Sequence, residues 1–395
     1  MDEPLKGIKV VDMTAAMAGP FCTMLLADMG AEVLKIEPPG RGDMLRDFGP
    51  PFIEGESAYF LLVNRNKRSM TLNLRSPEGL DILKRLAKEA DIVVESFRPN
   101  VKHKLGVDYE TLSTTNPGLI YCSISGFGQD GPLAYRPGFD PIAQGMSGLM
   151  SVTGYPETGP TRVGVAIGDS LGGIFAMYGI LLALIERNRS GKGQYVSTSL
   201  LEGLVAVLGF QAAKYFGTGQ VPERNGNDHA MMSPYGTFTT KDGHINIAAG
   251  NQGMWERLCK TLGLDELIDD PRFLTVKDRV LNRPALSAIL NEKLKEKTSE
   301  EWIDILNDAG VACGPILNIK EVFENEQVLH LKMLEEIDHP HCGKIKTIGI
   351  PTKLSRTPGT IRKAPPLKGE DTDEVLRELG FSEEKIKEFH EAGIV

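Results

Sequence analysis

Residues 8–37 read IKVVDMTAAMAGPFCTMLLADMGAEVLKIE, and their hydrophobic pattern changes twice along the way. Residues 8–12 and 31–36 are short apolar runs, the second closed by an acid and two prolines, which is typical of buried strands. Residues 20–29 between them carry apolar side chains at helical spacing. A strand, a helix and a strand in this order predict two parallel strands joined by a helical crossover.

The same alternation continues through the first half of the chain. Residues 70–74 form an apolar run, after which Ser76 is suited to cap a helix that starts with Pro77. Residues 92–94 and 119–125 are further strand candidates. Strands that alternate with helices predict an α/β fold with an open, mostly parallel, Rossmann-like sheet covered by helices.

From about residue 225 the pattern becomes that of a smaller α+β domain. Residues 235–239 and 244–249 flank a Lys-Asp-Gly turn, as the strands of a hairpin do. Helical segments follow at residues 254–262, 282–296 and 300–309. We therefore predict a large domain over residues 1–205, the smaller domain over residues 225–330, and a C-terminal segment over residues 335–395 that returns to the large domain.

Composition places the chain among ordinary globular proteins. It has 395 residues, 41% of them hydrophobic and 25% charged, and its formal net charge is -9. Nucleic-acid binding generally needs a basic face, so we expect no nucleic-acid partner. The longest uncharged apolar stretch, residues 170–185, is shorter than the roughly 18 to 20 residues that span a bilayer. It predicts a buried helix and no membrane partner.

The beginning of the chain lacks the basic end and apolar run of a secretory signal, and the five cysteines are scattered. Both features predict a cytoplasmic protein with reduced thiols. Neither the cysteines nor the histidines have the spacing of a metal-binding motif, so we expect no metal cofactor.

Two short motifs suggest nucleotide binding only superficially. The first turn, residues 14–20, has no GxGxxG, which would bring backbone amides against a pyrophosphate. Residues 190–194 read SGKGQ and lack the first glycine and the final serine or threonine of a phosphate loop. We therefore expect neither NAD nor ATP as a cofactor.

Three features have two interpretations on the residues alone. A basic run, made of Arg65, Lys67, Arg68 and Arg75, could contact phosphates, but a solvated turn is the simpler interpretation. Residues 250–253 (GNQG) suit a loop that closes over a ligand and a tight connection equally well. Asp169 precedes the helical residues 170–187, so spacing favours a helix cap over a catalytic carboxylate.

Six motifs occur in a characteristic order across nearly the whole chain. They are residues 25–37 (LLADMGAEVLKIE), 64–69 (NRNKRS), 126–132 (GFGQDGP), 136–140 (RPGFD), 164–170 (GVAIGDS) and 191–194 (GKGQ). Together with residues 365–369 (PPLKG), they make the chain resemble the class III CoA-transferases, the family of formyl-CoA transferase and crotonobetainyl-CoA:carnitine CoA-transferase. Members of that family interlock two ring-shaped subunits, so the resemblance implies a ring-like homodimer.

The resemblance also assigns roles to individual residues. The family's nucleophilic aspartate corresponds to Asp169. Its CoA-binding positions correspond to Met17, Ala18, Leu72, Asn73, Leu74, Arg75, Ser96, Phe97, Arg98, Lys104, Arg136, Pro137, Gly138, Phe139 and Asp140. A basic residue common after the second strand is Pro38 here, and Arg41 is assigned to its place, while Lys104 stands where arginine is common. The flexible loop that covers the active site of relatives corresponds to Gly250, Asn251, Gln252 and Gly253.

The chemistry implied by the resemblance is the transfer of CoA from an acyl-CoA thioester to a free carboxylate. A carboxylate is ionised at neutral pH, so Asp169 needs no partner base to attack a thioester. Attack gives an aspartyl anhydride, and return of the CoA thiolate gives an aspartyl-CoA thioester, which the acceptor carboxylate then attacks. Backbone amides can stabilise each oxyanion. The group that uses succinyl-CoA and small dicarboxylic acids is the most similar in character.

Two other functions are open to the same sequence. Racemases of 2-methylacyl-CoA share the fold and use a histidine where Phe139 stands, and phenylalanine cannot transfer a proton. The resemblance therefore favours transfer over racemisation. A protein that binds CoA without catalysis would keep the binding residues but would not need Asp169.

Overall fold

Thirteen strands and eighteen α-helices make up the part of the chain that the computed structural model describes, residues 2–395. The strands are β1 (Lys9–Met13), β2 (Glu32–Glu37), β3 (Phe52–Ile53), β4 (Glu56–Ser57), β5 (Lys67–Thr71), β6 (Ile92–Glu95), β7 (Ile120–Ser125), β8 (Tyr195–Ser199), β9 (Tyr235–Thr239), β10 (His244–Ala248), β11 (Ala312–Pro315), β12 (Leu334–His339) and β13 (Gly343–Ile348).

The helices vary from a single turn to the 24 residues of α8. They are α1 (Ala18–Asp28), α2 (Ala58–Val63), α3 (Pro77–Glu89), α4 (Pro99–Leu105), α5 (Tyr109–Ser113), α6 (Asp140–Met146), α7 (Leu149–Val152), α8 (Ile167–Ser190), α9 (Leu200–Ala206), α10 (Gly209–Thr218), α11 (Gln252–Leu262), α12 (Val276–Leu281), α13 (Arg283–Leu294), α14 (Ser299–Asp308), α15 (Ile319–Glu324), α16 (Glu326–His330), α17 (Thr372–Glu378) and α18 (Glu383–Glu391). Short 3₁₀ helices lie at Met44–Asp47, Pro156–Thr158 and Asp265–Leu267.

The chain divides into two units. The first comprises the chain up to Leu149 together with Arg162–Ala213 and Glu326–Val395. The second comprises Met150–Thr161 and Lys214–Asn325. Residues 150–161 therefore belong to the second unit, although the residues on both sides of them in the chain belong to the first.

A six-stranded sheet forms the centre of the first unit. Its strand order is β5-β2-β1-β6-β7-β8, and every neighbouring pair is parallel. One apolar cluster packs α3 against it through Ile82 and Leu83, and a separate cluster packs α1 and α8 through Leu26 and Ile180. The sheet is thus covered by helices, which confirms the mostly parallel α/β fold predicted from the sequence.

Local signals in the sequence set several element boundaries. The side chain of Ser76 accepts a hydrogen bond from the Gly79 amide, and Pro77 is the first residue of α3, as predicted. The predicted hairpin forms from β9 and β10, which pair antiparallel. In the second unit, the buried residues Trp255, Leu290 and Trp302 pack beneath one face of the sheet β11-β10-β9.

The solvated-turn interpretation of the basic run is wrong for Arg65 and Lys67, and the neighbouring strand starts earlier than predicted. Strand β5 starts at Lys67, not at Met70, and Lys67 is fully buried with its ammonium 3.1 Å from Asp12. The guanidinium of Arg65 is also buried, 2.7 Å from a carboxylate oxygen of Asp28. A solvated turn would leave both cations in water, whereas here each balances a buried acid.

Helix α8 is long and apolar enough to cross a membrane, by length and composition alone. Here one side of it packs against the sheet through Ala176, Ile180 and Leu184. The opposite side leaves apolar side chains exposed at a spacing of about one helical turn, namely Ile174, Tyr178, Leu182 and Ile185. This exposed stripe is unusually apolar for a surface helix.

The glycines of two sequence motifs allow two backbone segments to touch. A Cβ atom added to Gly138 would lie 2.6 Å from the Cα atom of Gly126, and one added to Gly126 would lie 2.6 Å from the Cα atom of Gly138. No real Cβ contact is so short, and both neighbours are backbone that cannot turn aside. The motifs at residues 126–132 and 136–140 therefore hold each other in place.

We predict that Gly138→Ala lowers the free energy of unfolding by about 1 to 3 kcal/mol, because the added methyl group forces the two segments apart. Gly164→Ala is the matched control. Its added Cβ has no neighbour within 4 Å, and its backbone is not in the left-handed region, so no loss of stability is expected. Urea unfolding of both variants measures the difference, and equal stabilities would contradict the close-contact argument.

Candidate active site

The carboxyl ends of β1 and β6 mark a topological switch point of the large sheet. The chain moves from β1 to β2 on one side and reaches β6 on the other side, with α1 and α3 covering opposite faces. Ligands of open α/β sheets bind in the crevice at such a point. The turn after β1 meets the segment after β6 there, where the amide of Ala15 donates a hydrogen bond of 3.2 Å to Ser96 Oγ.

A cavity of about 240 Å³ lies at this crevice, and Asp169 forms part of its wall. Many of the residues assigned from the resemblance line the same cavity. They are Met17, Ala18, Ser96, Phe97, Arg98, Arg136, Pro137, Gly138 and Phe139. Three separate chain segments assigned to CoA binding thus meet around the carboxylate.

A second cavity, of about 1280 Å³, adjoins the first. Phe97 lines both of them. The other assigned residues in its wall are Leu72, Asn73, Leu74, Arg75 and Lys104. The positive charges of Arg75 and Lys104 suit a phosphorylated ligand, and Arg75 is the member of the basic run that faces a cavity.

Two assigned residues line neither cavity. Arg41 is exposed and pairs with the carboxylate of Asp47. Asp140 is buried, and its carboxylate accepts hydrogen bonds of 2.8 Å from the Gly168 amide and from Gln144 Nε2. Direct contact of Asp140 or Arg41 with CoA stays a prediction.

The glycine-containing loop belongs to the second unit. Gly250 follows β10, and Gln252 and Gly253 form the first turn of α11. The side chain of Asn251 accepts a hydrogen bond of 2.9 Å from the Met254 amide and so caps that helix. The segment therefore serves as a capped connection, and its role at an active site stays a prediction.

Asp169 does not cap its helix. Helix α8 begins at Ile167, so Asp169 lies inside the first turn and Ala166 occupies the cap position without a side-chain hydrogen bond. Within residues 2–395 the Asp169 carboxylate forms neither a hydrogen bond nor an ion pair. Burial, and secondarily the nearby charge of Asp140, raise the pKa of Asp169 to about 7. The capping interpretation of this residue is wrong.

The sequence comparisons identify the family of the chain. A family model described as CoA-transferase family III matches residues 5–372. The chain belongs to CoA-transferase family III. It is therefore an enzyme that transfers CoA, and CoA thioesters are substrates of its family.

Individual relatives of this family III enzyme match over almost their full length. Succinyl-CoA:glutarate CoA-transferase of Homo sapiens is 42% identical over 395 residues, which cover 100% of the chain and 90% of that protein. Succinate–glutarate CoA-transferase of Agrobacterium fabrum is 40% identical over 382 residues, with 95% and 96% covered. A crystal structure of a CaiB/BaiF family protein from Brucella suis has a TM-score of 0.86 at 40% identity, covering 96% of this chain and 100% of that one.

A buried ion pair in the family III enzyme supports the segment after β6. Lys102 is buried, and its ammonium lies 3.2 Å from Glu95 and donates hydrogen bonds to Ser123 and Gln129. The other carboxylate oxygen of Glu95 accepts a 2.6 Å hydrogen bond from the Phe97 amide. The ion pair of Glu95 and Lys102 therefore holds the backbone at Phe97, which lines both cavities.

The sequence did not lead us to predict a group of buried charges that lies near the turn after β1. Asp12, Lys35, Asp43 and Lys67 are all almost fully buried, and they lie close together around the carboxyl ends of β1 and β2. A signal was present, because Asp12 and Lys35 interrupt runs that were predicted to be buried strands. A charge in such a run requires a partner.

We expect kcat/KM for CoA transfer to rise with pH through about 7 and then level off. The carboxylate is the nucleophilic form of an aspartate, and the raised pKa of Asp169 leaves it protonated below that point. Asp140→Asn removes one cause of the raised pKa, so its profile should shift to lower pH while burial still keeps the midpoint above about 4.

Asp47→Asn is the control for this titration, since Asp47 is an exposed acid paired with Arg41. Its pH profile should match that of the wild type. A wild-type profile that is flat across pH 7, or a midpoint that does not move in Asp140→Asn, would contradict the proposed electrostatics of the cavity.

Proposed function

We propose that this family III enzyme moves CoA from succinyl-CoA to a small dicarboxylic acid through covalent intermediates on Asp169. The observation that carries the proposal is a half-buried, unpaired carboxylate in a cavity at the switch point of the sheet. Three segments assigned to CoA binding by resemblance meet at that cavity. An acid that only stabilised the fold would be paired, as the nearby buried acids Asp12 and Glu95 are.

Each step of the proposed reaction exchanges one activated acyl group for another. An oxygen of Asp169 attacks the thioester carbonyl, the C–S bond breaks, and CoA leaves as a thiolate beside an acyl-aspartyl anhydride. The thiolate then attacks the aspartyl carbonyl, which releases the donor acid and forms an aspartyl-CoA thioester. The acceptor carboxylate attacks this thioester, and the thiolate finally attacks the acceptor's carbonyl in the second anhydride, which frees Asp169.

The start of α1 is suited to stabilise the oxyanions of these steps. Ala18 and Gly19 are the first two residues of α1, and both line the Asp169 cavity. First-turn amides of a helix have no acceptor within the helix, and the helix dipole favours negative charge at this end. Donors held in place before the reaction stabilise a developing charge without reorganisation.

The choice of substrates rests on the relatives. The proteins that are 42% and 40% identical over nearly the whole chain are described as acting on succinyl-CoA or succinate with glutarate. Succinyl-CoA as donor and glutarate or a similar dicarboxylate as acceptor are therefore our proposal. The choice of acceptor depends on the side chains that shape the pocket, and the fold does not determine those side chains.

Phe139 supports transfer over proton exchange. Its side chain is 55% exposed and lines the cavity that contains Asp169. Racemisation needs a second group that returns a proton to the opposite face of the substrate, and a phenyl ring cannot supply it. Deuterium uptake at C2 of a 2-methylacyl-CoA, at a rate comparable to transfer, would favour the racemase instead.

We predict that Asp169→Asn lowers the turnover of succinyl-CoA with glutarate by at least roughly a thousandfold, because an amide cannot form the anhydride. The fold should survive, since the variant keeps the shape of the side chain and removes a half-buried charge. With wild-type protein, succinyl-CoA should leave a hydroxylamine-sensitive adduct that mass spectrometry locates on the peptide containing Asp169.

Asp47→Asn serves again as the control, because it changes an exposed aspartate and should retain both turnover and adduct. A panel of acyl-CoA donors and mono- and dicarboxylic acceptors, run with the same proteins, identifies the substrates. Full turnover in Asp169→Asn without any adduct in the wild type would refute the covalent route.

We also propose that the protein forms a homodimer, interlocked as in the relatives that it resembles. The exposed apolar stripe on α8 supports a second copy as the partner. Such stripes on soluble proteins generally mark interfaces. Covering it with an identical chain would also remove the apolar surface that makes α8 compatible with a membrane by composition.

Leu182→Lys places a charge in the middle of that stripe and should weaken or abolish the dimer. Leu281→Lys is the control, since Leu281 is an exposed leucine on α12. Sedimentation at micromolar concentration measures the mass against the 43.1 kDa of one chain. A wild-type protein that is a stable monomer under these conditions would rule out the interlocked arrangement.

A further inference from the structure

The segment after β2 returns to the turn after β1 through the side chain of Asp43. One carboxylate oxygen accepts hydrogen bonds from the amides of Ala16, at 3.0 Å, and Leu45, at 2.9 Å. The other lies 2.7 Å from the ammonium of Lys35. Both side chains are buried, with at most 1% of either exposed. The contact therefore joins the carboxyl ends of two neighbouring strands out of reach of solvent.

Lys35 holds the same turn from its other end. Its ammonium donates a 2.9 Å hydrogen bond to the carbonyl oxygen of Thr14. The Thr14 carbonyl and the Ala16 amide are thus tied to the two members of one ion pair. The backbone between them has little freedom to rotate.

Ala16 adopts a conformation that needs such support. Its φ angle is +64°, in the left-handed region that residues with a Cβ atom rarely occupy. For a residue with a Cβ atom this conformation is strained. A conformation of this kind persists only where neighbouring contacts impose it, and the bond from the Ala16 amide to Asp43 is such a contact.

The strained turn leads directly into the wall of the Asp169 cavity. Ala15, Ala16 and Met17 line that cavity, and the first amides of α1 follow them in the chain. A rotation at Ala16 would change where those amides point. Misplacement of catalytic groups by about 1 Å can lower a rate by about a hundredfold.

We propose that Asp43 and Lys35 are positioning residues for CoA transfer, which hold the turn of Thr14 to Met17 in the shape required to bind the thioester beside Asp169. Neither residue touches the reacting atoms; Asp43 acts through the Ala16 amide and Lys35 acts through Asp43 and the Thr14 carbonyl. The part that concerns the covalent step rests on the proposed role of Asp169, whereas the part that concerns CoA affinity does not.

The alternative is that the ion pair only stabilises the fold. A buried ion pair is weak evidence for stability, because replacing both partners by apolar groups is often neutral. Removing one partner alone would strand a buried charge and could unfold the protein. The informative variants are therefore double substitutions that remove both charges together.

Lys35→Met/Asp43→Asn and Lys35→Met/Asp43→Leu differ only at residue 43. The asparagine oxygen can still accept the hydrogen bonds from the amides of Ala16 and Leu45, and the leucine cannot. We expect kcat/KM for CoA transfer to be at least about tenfold lower in the leucine variant than in the asparagine variant. Its affinity for CoA, measured by calorimetry, should fall as well, while circular dichroism should show the same fold in both.

A single substitution covers the case in which the leucine variant does not fold. Glycine accepts the left-handed conformation without strain, so Ala16→Gly should be at least as stable as the wild type. It should nevertheless transfer CoA at least about threefold more slowly, because the turn gains freedom. Wild-type kcat/KM and CoA affinity in Ala16→Gly and in the folded double variants would overturn the proposal and leave the pair a purely structural one.

Failure of the positioning role and failure of the covalent route give different results. If Asp169 is not the nucleophile, no adduct forms in the wild type, yet the two double variants still differ in CoA affinity. If the turn needs no positioning, the adduct forms at the same rate in every folded variant. Measuring adduct formation and CoA affinity on the same preparations separates the two outcomes.

Discussion

The buried ion pair between Asp12 and Lys67 is the interaction on which the rest of the first unit depends. Asp12 is the next-to-last residue of β1, and its carboxylate accepts hydrogen bonds from the Thr14 amide and the Thr23 hydroxyl as well as from Lys67. Burial opposes the charge, but Lys67 and Lys35 outweigh it and hold the pKa of Asp12 well below its usual range. Losing either partner would strand a charge at a cost of about 3 to 5 kcal/mol.

The acids at this edge of the sheet divide by whether they have a partner. Glu37 is held by Arg46 through two hydrogen bonds of 2.7 Å, which despite burial keeps its pKa at about 2, and Glu95 is paired with Lys102. Both of these carboxylates are already paired, and their role is to stabilise neighbouring turns. Asp169 is half-buried and has no partner, so it is the one acid among them that is available for chemistry.

The sequence predicted the fold and the family because both leave repeated local signals. Alternating apolar runs, the Ser76 cap and the glycine-rich motifs each follow from local geometry, as the contact of Gly126 with Gly138 illustrates. The apolar run around Lys35 indicated a buried charge, but the sequence could not identify Asp43 as its partner, since a hydrophobic pattern does not pair charges. Nor could it tell that α8 begins two residues before Asp169, because helix ends depend on contacts distant in the chain.

The position of Asp169 suggests how the fold would contribute to the proposed chemistry. A carboxylate in the first turn of a helix gains about 0.3 to 1 kcal/mol from the helix dipole, which would lower its pKa. A pKa of about 7 instead of about 4 corresponds to a penalty of roughly 4 kcal/mol on the charged form, so burial outweighs the dipole. Formation of an anhydride removes that charge. The first covalent step would therefore relieve a strain that the folded protein imposes on the carboxylate, and part of the barrier to thioester attack would be lowered in advance.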